Sequence, residues 1–271
     1  MVGGSSDGDT NLRLTVFTDL DGTLLDHGSY SHAPAAPAIA ALKARGAAIV
    51  LASSKTAAEI LPLHAELGLG DAPIIAENGA ALVRPGEGTP ETSDYTRLRA
   101  ALDALPPELR APFRGFGDMS AEEVAADTGL PLASATLAKE RLFSEPGRWL
   151  GTDDQRTAFA GRLSAKGITA RHGGRYLTLS FGGTKASQMD AVTRMLHPDV
   201  TIALGDAPND IEMLEAADYG IVIRNDHGPG LPALTGEALG RIRRSTAPGP
   251  QGWAEEILAL IAQLERQEGR P

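Results

Sequence analysis

The sequence predicts an α/β protein, a core of parallel strands and helices interrupted by an inserted α+β domain. Three observations carry this. Short apolar runs alternate with helical periodicities over residues 12–84 and again over 184–271. The texture changes at Pro85-Gly86-Glu87-Gly88-Thr89-Pro90 and reverts after Gly182-Gly183. The 271 residues also exceed the usual ~150 of one domain. Strands alternating with helices indicate βαβ units and a parallel sheet, so the expected division is 12–84 core, 85–183 insert and 184–271 core.

Each element has its own warrant. Leu12–Phe17 is an apolar, β-branched run that ends at Thr18-Asp19, a buried strand. Pro34–Arg45 reads as a helix with Pro near its start and Gly46 past its end. Ala47–Ala52 is a second strand, and Thr56–Leu67 a helix closed by Gly68. Pro73–Ala76 is a third strand, joined to Ala80–Val83 by the turn Asn78-Gly79. In the insert, helices are expected at Thr96–Leu105, Ser120–Thr128 and Asp153–Lys166, and strands at Ile168–Arg171 and Tyr176–Phe181. Beyond it follow helix Lys185–Leu196, strand Val200–Leu204, helix Asp210–Ala216, strand Tyr219–Ile223 and helix Trp253–Glu265. The Gly-, Ser- and Asp-rich start, MVGGSSDGDTN, reads as a frayed tail.

Composition excludes several chemistries. With no cysteine there is no disulfide, thiolate metal site, iron–sulfur cluster or Cys nucleophile. Hydrophobic residues at 42% support a sizeable core. A net charge of −10 argues against a nucleic-acid partner, while leaving room for a local basic pocket. No run of ~18 apolar residues and no signal peptide are seen, so the expectation is no membrane partner and a cytoplasmic enzyme.

The chemistry-bearing residues stand at strand ends, where open parallel sheets bind ligands. Asp19-Leu20-Asp21-Gly22-Thr23 follows the first strand. Gly22 permits the turn that lets two carboxylates converge. One could attack while the other serves as acid/base or metal anchor; a solvated turn would use the same residues. Asp206 and Asp210 in Gly205-Asp206-Ala207-Pro208-Asn209-Asp210 offer oxygen ligands suited to Mg²⁺, though Asp206 or Asn209 could instead cap a helix. Ser53-Ser54-Lys55-Thr56 precedes a helix and could hold a phosphate oxygen or simply cap it. Lys185 opens a helix, a poor place for a cation unless an anion is near.

In this order, DxDGT, Ser, Lys and GDxxND, the motifs resemble the haloacid dehalogenase-like phosphatase superfamily, in the branch with a large cap between the second and third motifs. VFTDLDGTLLD, SSKT and GDAPND, with the R-x-x-S-E-P phrase at Arg141–Pro146 and Gly173-Gly174-Arg175-Tyr176, are most similar to its mannosyl-3-phosphoglycerate phosphatases. Thr178 stands where that family often has His, and Ala186 where it often has Gly.

The resemblance implies a Rossmann-like core with an α+β cap, acting on a phosphorylated sugar or glycerate. Asp19 would be the nucleophile and Asp21 the acid/base. Mg²⁺ would be held by Asp19, the Asp21 carbonyl and Asp206, with Asp210 orienting its waters or Lys185. Ser53 and Lys185 would grip the phosphate. Ser54, Lys55, Asn78, Arg141, Ser144, Glu145, Arg175 and Asn209 are the candidate substrate contacts, the two arginines by bidentate pairing with a carboxylate. Asn78 could equally be a hairpin-turn residue, and Ser144 and Glu145 a turn before Pro146. Rival substrates are glucosyl-3-phosphoglycerate, sucrose phosphate and hexose phosphates. A phospho-receiver is a rival of another class, against which the second carboxylate, Asp21, and the large insert argue.

Overall fold

A computed structural model describes residues 12–87, 94–173, 175–228 and 230–268. The expected N-terminal tail, the end of the Pro85–Pro90 linker and Gly174 of the GGR phrase lie outside these. The first core segment runs β1 (Leu14–Thr18), α1 (Ala36–Ala44), β2 (Ala48–Leu51), α2 (Ala57–Leu67), β3 (Ile74–Ala76) and β4 (Ala81–Val83). The inserted segment holds α3 (Asp94–Asp103), α4 (Pro107–Arg110), β5 (Phe113–Gly115), α5 (Ala121–Thr128), α6 (Leu132–Ala138), β6 (Ser144–Trp149), α7 (Asp153–Ser164), β7 (Thr169–Gly173) and β8 (Tyr176–Ser180). The chain then forms α8 (Lys185–Leu196), β9 (Val200–Gly205), α9 (Ile211–Ala216), β10 (Tyr219–Arg224), α10 (Thr235–Ala238), β11 (Ile242–Pro248) and α11 (Gly249–Glu268).

The main sheet is parallel throughout, in the order β11-β10-β9-β1-β2. From β1 the chain moves outward to β2, then returns on the other side through β9. The strand order therefore reverses beside β1, and ligands of open α/β sheets bind at such a switch point. Asp19 leaves the end of β1 and Asp206 the end of its neighbour β9, so topology alone brings these carboxylates together. Both faces of the sheet are covered. Leu14, Val16, Ile202 and Leu204 pack with Trp253 and Ile257 of α11, while Phe17, Val50 and Ala203 pack with Met189, Met213 and Leu214. Strand alternation explains the split. Fully buried Trp253 donates its indole N–H to Thr18 Oγ1 at 2.9 Å, tying α11 to the strand that carries the site.

The expected third strand takes a different place. β3 pairs antiparallel with β4 in a two-stranded sheet and touches the main sheet by a single bridge, Ala52 to Ile75. Its reversal uses three successive left-handed residues, Glu77, Asn78 and Gly79, rather than the two-residue turn expected from Asn78-Gly79. Gly79 is required there, since a Cβ would lie 2.1 Å from the backbone carbon of Thr184.

In the inserted segment the antiparallel sheet runs β5-β6-β8-β7, under α3 and α7 through Leu98, Leu102, Phe159 and Leu163. Arg99 of α3 donates to Glu145 Oε1 at 2.9 Å and to Asp118 Oδ1 at 2.6 Å. Glu145 is fully buried, and burial pushes its carboxyl above the ordinary range although the Gly117 N–H and Arg99 oppose it. Removing one partner of a buried pair costs about 3–5 kcal/mol. Arg99→Ala is thus expected to lower stability in urea melts by about that amount, and adding Glu145→Gln to recover part of it. Equal losses in the single and double variants would show that the pair does not matter.

Among the described residues, no helix is long and apolar enough to cross a membrane.

Candidate active site

The site is built from loops that leave the carboxyl ends of β1, β2 and β9 and from the start of α8. Asp19, Asp206, Asp210 and Lys185 are all buried. Lys185 Nζ donates to Asp19 Oδ1 at 2.6 Å and to Asp210 Oδ1 at 2.7 Å. The other oxygen of Asp210 accepts the Asp206 and Ala207 N–H groups at 3.1 and 3.0 Å, which shapes the loop after β9. Asp206 accepts from the Thr23 hydroxyl at 2.7 Å and from Asn225 Nδ2 at 2.6 Å. Gly22, at φ +78°, makes room for this arrangement: a Cβ there would lie 2.7 Å from Asn225 Nδ2.

Burial pushes the Asp19 carboxyl well above its usual range, Asp210 and Asp206 push it the same way, and Lys185 opposes. Burial also raises Asp206, against hydrogen bonds from Asn225 and Thr23. For Lys185, burial disfavours the charge, but Asp19 and Asp210 outweigh it and hold the ammonium above its ordinary pKa. Oxygens of Asp19, Asp206 and Asp210 lie within 4.8 Å of one another. Three carboxylates face one ammonium and the donors are all oxygen, so the set fits a hard divalent cation such as Mg²⁺. The Asp21 side chain is not in that cluster. Its Oδ2 pairs with Lys55 Nζ at 2.9 Å, while its buried Oδ1 has no hydrogen-bond partner among the described residues.

The capping alternatives are resolved. The hydroxyl of Thr56, not of Ser53, caps α2 by accepting from Glu59 N–H. No side chain caps α9, so the Asp206 carboxylate is not spent on a helix end. Ser53 is buried one residue beyond the bridge residue Ala52, whose N–H donates to Thr18 O at 2.8 Å, so the loops that carry Ser53 and Asp19 leave neighbouring strand ends.

A chamber of about 200 Å³ opens over Asp21, with Ser54, Lys55, Asn78, Arg141, Phe116 and Tyr176 in its walls. The Arg141 guanidinium reaches the core, donating to Ser54 O at 2.9 Å. A second cavity of about 290 Å³ meets Lys185, Asn78 and Asn209 from the other side. Asn209 Nδ2 donates to Asn78 Oδ1 at 3.0 Å.

Three expected substrate contacts stand elsewhere. The Ser144 hydroxyl donates to Glu77 Oε2 at 2.6 Å and is fully buried. Glu145 is buried against Arg99 and the Gly117 N–H. In β6 both residues are strand residues rather than a turn. Arg175 is exposed, donates to the backbone oxygen of Asp127 at 2.9 Å and lines neither cavity. Sequence reading missed Asn225 and Glu77. Asn225 follows the end of β10, so the strand-end argument applied to Asp19 and Asp206 reaches it too. Tyr176 stood in the Gly173-Gly174-Arg175-Tyr176 phrase without a role of its own, and Phe116 carried no signal beyond being aromatic.

A family model of haloacid dehalogenase-like hydrolases matches residues 16–95 and 153–229, leaving most of the inserted segment unmatched. A glucosyl-3-phosphoglycerate/mannosyl-3-phosphoglycerate phosphatase of Methanococcoides burtonii is 35% identical, over 92% of this chain and 98% of that protein. A Thermoplasma acidophilum structure superposes with a TM-score of 0.64 at 17% identity, covering 94% of this chain and 98% of that one. The sucrose-phosphatase of Synechocystis, solved with sucrose and phosphate, superposes with a TM-score of 0.60 at 16% identity, covering 94% and 98%. The parallel sheet with its α+β insert is therefore a shared architecture. On the family match and the relative's identity over nearly its full length, the chain belongs to the haloacid dehalogenase-like hydrolases.

Proposed function

We propose that this chain is a Mg²⁺-dependent phosphoric monoester hydrolase that converts mannosyl-3-phosphoglycerate to mannosylglycerate and phosphate. The observation that carries the reading is the pairing of Asp19 with Lys185 beside Asp21, a residue that lines the chamber of about 200 Å³. An Asp19 oxygen attacks phosphorus, and the ester oxygen leaves with a proton from Asp21. Asp21 then takes a proton from water as that water displaces phosphate from Asp19. This division into two easier steps is covalent catalysis. Lys185 and Ser53 hold the non-bridging phosphate oxygens, and Lys185 lessens repulsion between Asp19 and the incoming anion. Asp19 and Asp206, with the Asp21 carbonyl, would hold Mg²⁺, which supplies charge neutralisation when bound. Residues 85–183 serve as a cap that keeps bulk water out. The name of the M. burtonii relative supports the substrate class, and because it includes the glucosyl ester, glucosyl-3-phosphoglycerate is the second reading.

Phosphate release measured over mannosyl- and glucosyl-3-phosphoglycerate, sucrose phosphate and hexose phosphates tests this. The mannosyl ester is expected to give the highest kcat/KM, and preference for an ester without glycerate would contradict the assignment. Chelation is expected to abolish turnover and Mg²⁺ to restore it. Asp206→Ala should raise the Mg²⁺ concentration needed for half-maximal rate at least tenfold, since a carboxylate ligand is lost. Full activity of the chelated enzyme would remove the metal from the account.

A further inference from the structure

Glu77 carries a carboxyl group, is 3% exposed and is held in the left-handed region at φ +51°, a combination that needs a reason. Its carboxylate reaches out of the core. Oε1 accepts the Leu142 N–H at 3.0 Å, and Oε2 accepts the Phe143 N–H at 3.2 Å and the Ser144 hydroxyl at 2.6 Å. These donors run from the end of the α6–β6 connection into the first residue of β6, distant in sequence from either junction of the inserted segment, while Ser144 pairs with Ser180 and Leu142 O accepts the Tyr95 N–H. Glu77 is thus a buried tether between insert and core, beside the Thr56 hydroxyl, which donates to Leu137 O at 3.0 Å. Its own N–H donates to Lys55 O, and the next N–H, of Asn78, donates to Ser53 O, both at 2.9 Å, so the tether is anchored on the loop after β2. Arg141, one residue before the clasped stretch, lays its guanidinium on Ser54 O of that loop, with Nη1 3.9 Å from Glu77 Oε2.

We propose that Glu77 is a positioning residue: by clasping residues 142–144 it fixes Arg141 at the wall of the leaving-group chamber and so sets affinity for an anionic leaving group without touching it. Two N–H groups and a hydroxyl satisfy a carboxylate out of water only while the stretch is docked, which makes the contact stiff. A neutral glutamine of the same shape offers one acceptor oxygen and turns its NH₂ toward another donor. It cannot hold all three groups.

The inference rests on the phosphatase reading, and the experiment separates the two. Wild type, Glu77→Gln, Arg141→Ala and the double variant are assayed on the sugar phosphate that wild type turns over fastest, whichever it is. Amide exchange of residues 141–144 is followed by mass spectrometry. In Glu77→Gln, KM is expected to rise at least tenfold and the amides of Leu142 and Phe143 to exchange faster. Arg141→Ala is expected to match that rise, and adding it to Glu77→Gln to change KM less than twofold further. Independent, multiplying effects of the two substitutions would overturn the proposal, as would unchanged exchange or an unchanged KM in Glu77→Gln. Failure of wild type on the glycosyl-phosphoglycerates would overturn the substrate assignment and the anionic leaving group with it, while the coupling of Glu77 and Arg141 on the preferred ester would still decide the positioning role.

Discussion

Asp19→Asn is expected to lower kcat by at least about 10³-fold, equivalent to about 4 kcal/mol of barrier, while the protein stays folded. The amide keeps the shape of the side chain but is not a nucleophile. The fold is spared because the substitution removes a carboxylate that burial already disfavours as a charge, and Lys185 retains Asp210 at 2.7 Å. Circular dichroism and the melting temperature check the fold, and phosphate release checks the rate. Retention of more than a few per cent of activity would mean that some other group attacks phosphorus.

Lys185→Met is expected to damage both activity and stability. It keeps the apolar stem of a side chain that is 1% exposed and removes the ammonium shared by Asp19 and Asp210. Breaking a buried ion pair from one side costs about 3–5 kcal/mol. The pH dependence has a definite sign. Without the ammonium, burial holds the Asp19 carboxyl above its unfolded value with nothing opposing. The folded state then binds a proton that the unfolded state has released, so stability is greatest at low pH and is lost as pH rises through the folded-state pKa. Urea midpoints of the variant across the acid-to-neutral range should therefore fall with pH more steeply than those of wild type. Parallel curves would show that Lys185 does not compensate these carboxylates.

Much of this site was legible because it follows from local signals. An apolar run followed by Asp marks a strand end, and Asp19, Ser53 and Asp206 all lie beyond ends of adjacent strands, β1, β2 and β9. What the sequence hid depends on distant partners. β6 reads Ser-Glu-Pro-Gly-Arg-Trp, a turn by composition; it becomes a strand because β5 and β8 pair with it on either side. β11, with two arginines and a terminal proline, is an edge strand of the parallel sheet, where such residues are tolerated. Ser144 and Glu145 share a phrase with Arg141, but as consecutive strand residues they point to opposite faces, where Glu77 and Arg99 engage them. Glu77 follows the apolar run of β3 much as Asp19 follows β1, but nothing local names its partners. Its role arises from a stretch more than sixty residues downstream.

The central claim is that phosphate passes through Asp19. A single turnover of radiolabelled mannosyl-3-phosphoglycerate, quenched in acid within milliseconds and digested, tests it most directly. The account predicts a transient label on the peptide carrying Asp19, discharged by hydroxylamine and absent from Asp19→Asn. Release of labelled phosphate at the wild-type rate with no protein-bound label at any time would contradict it and place the attack on a water molecule instead.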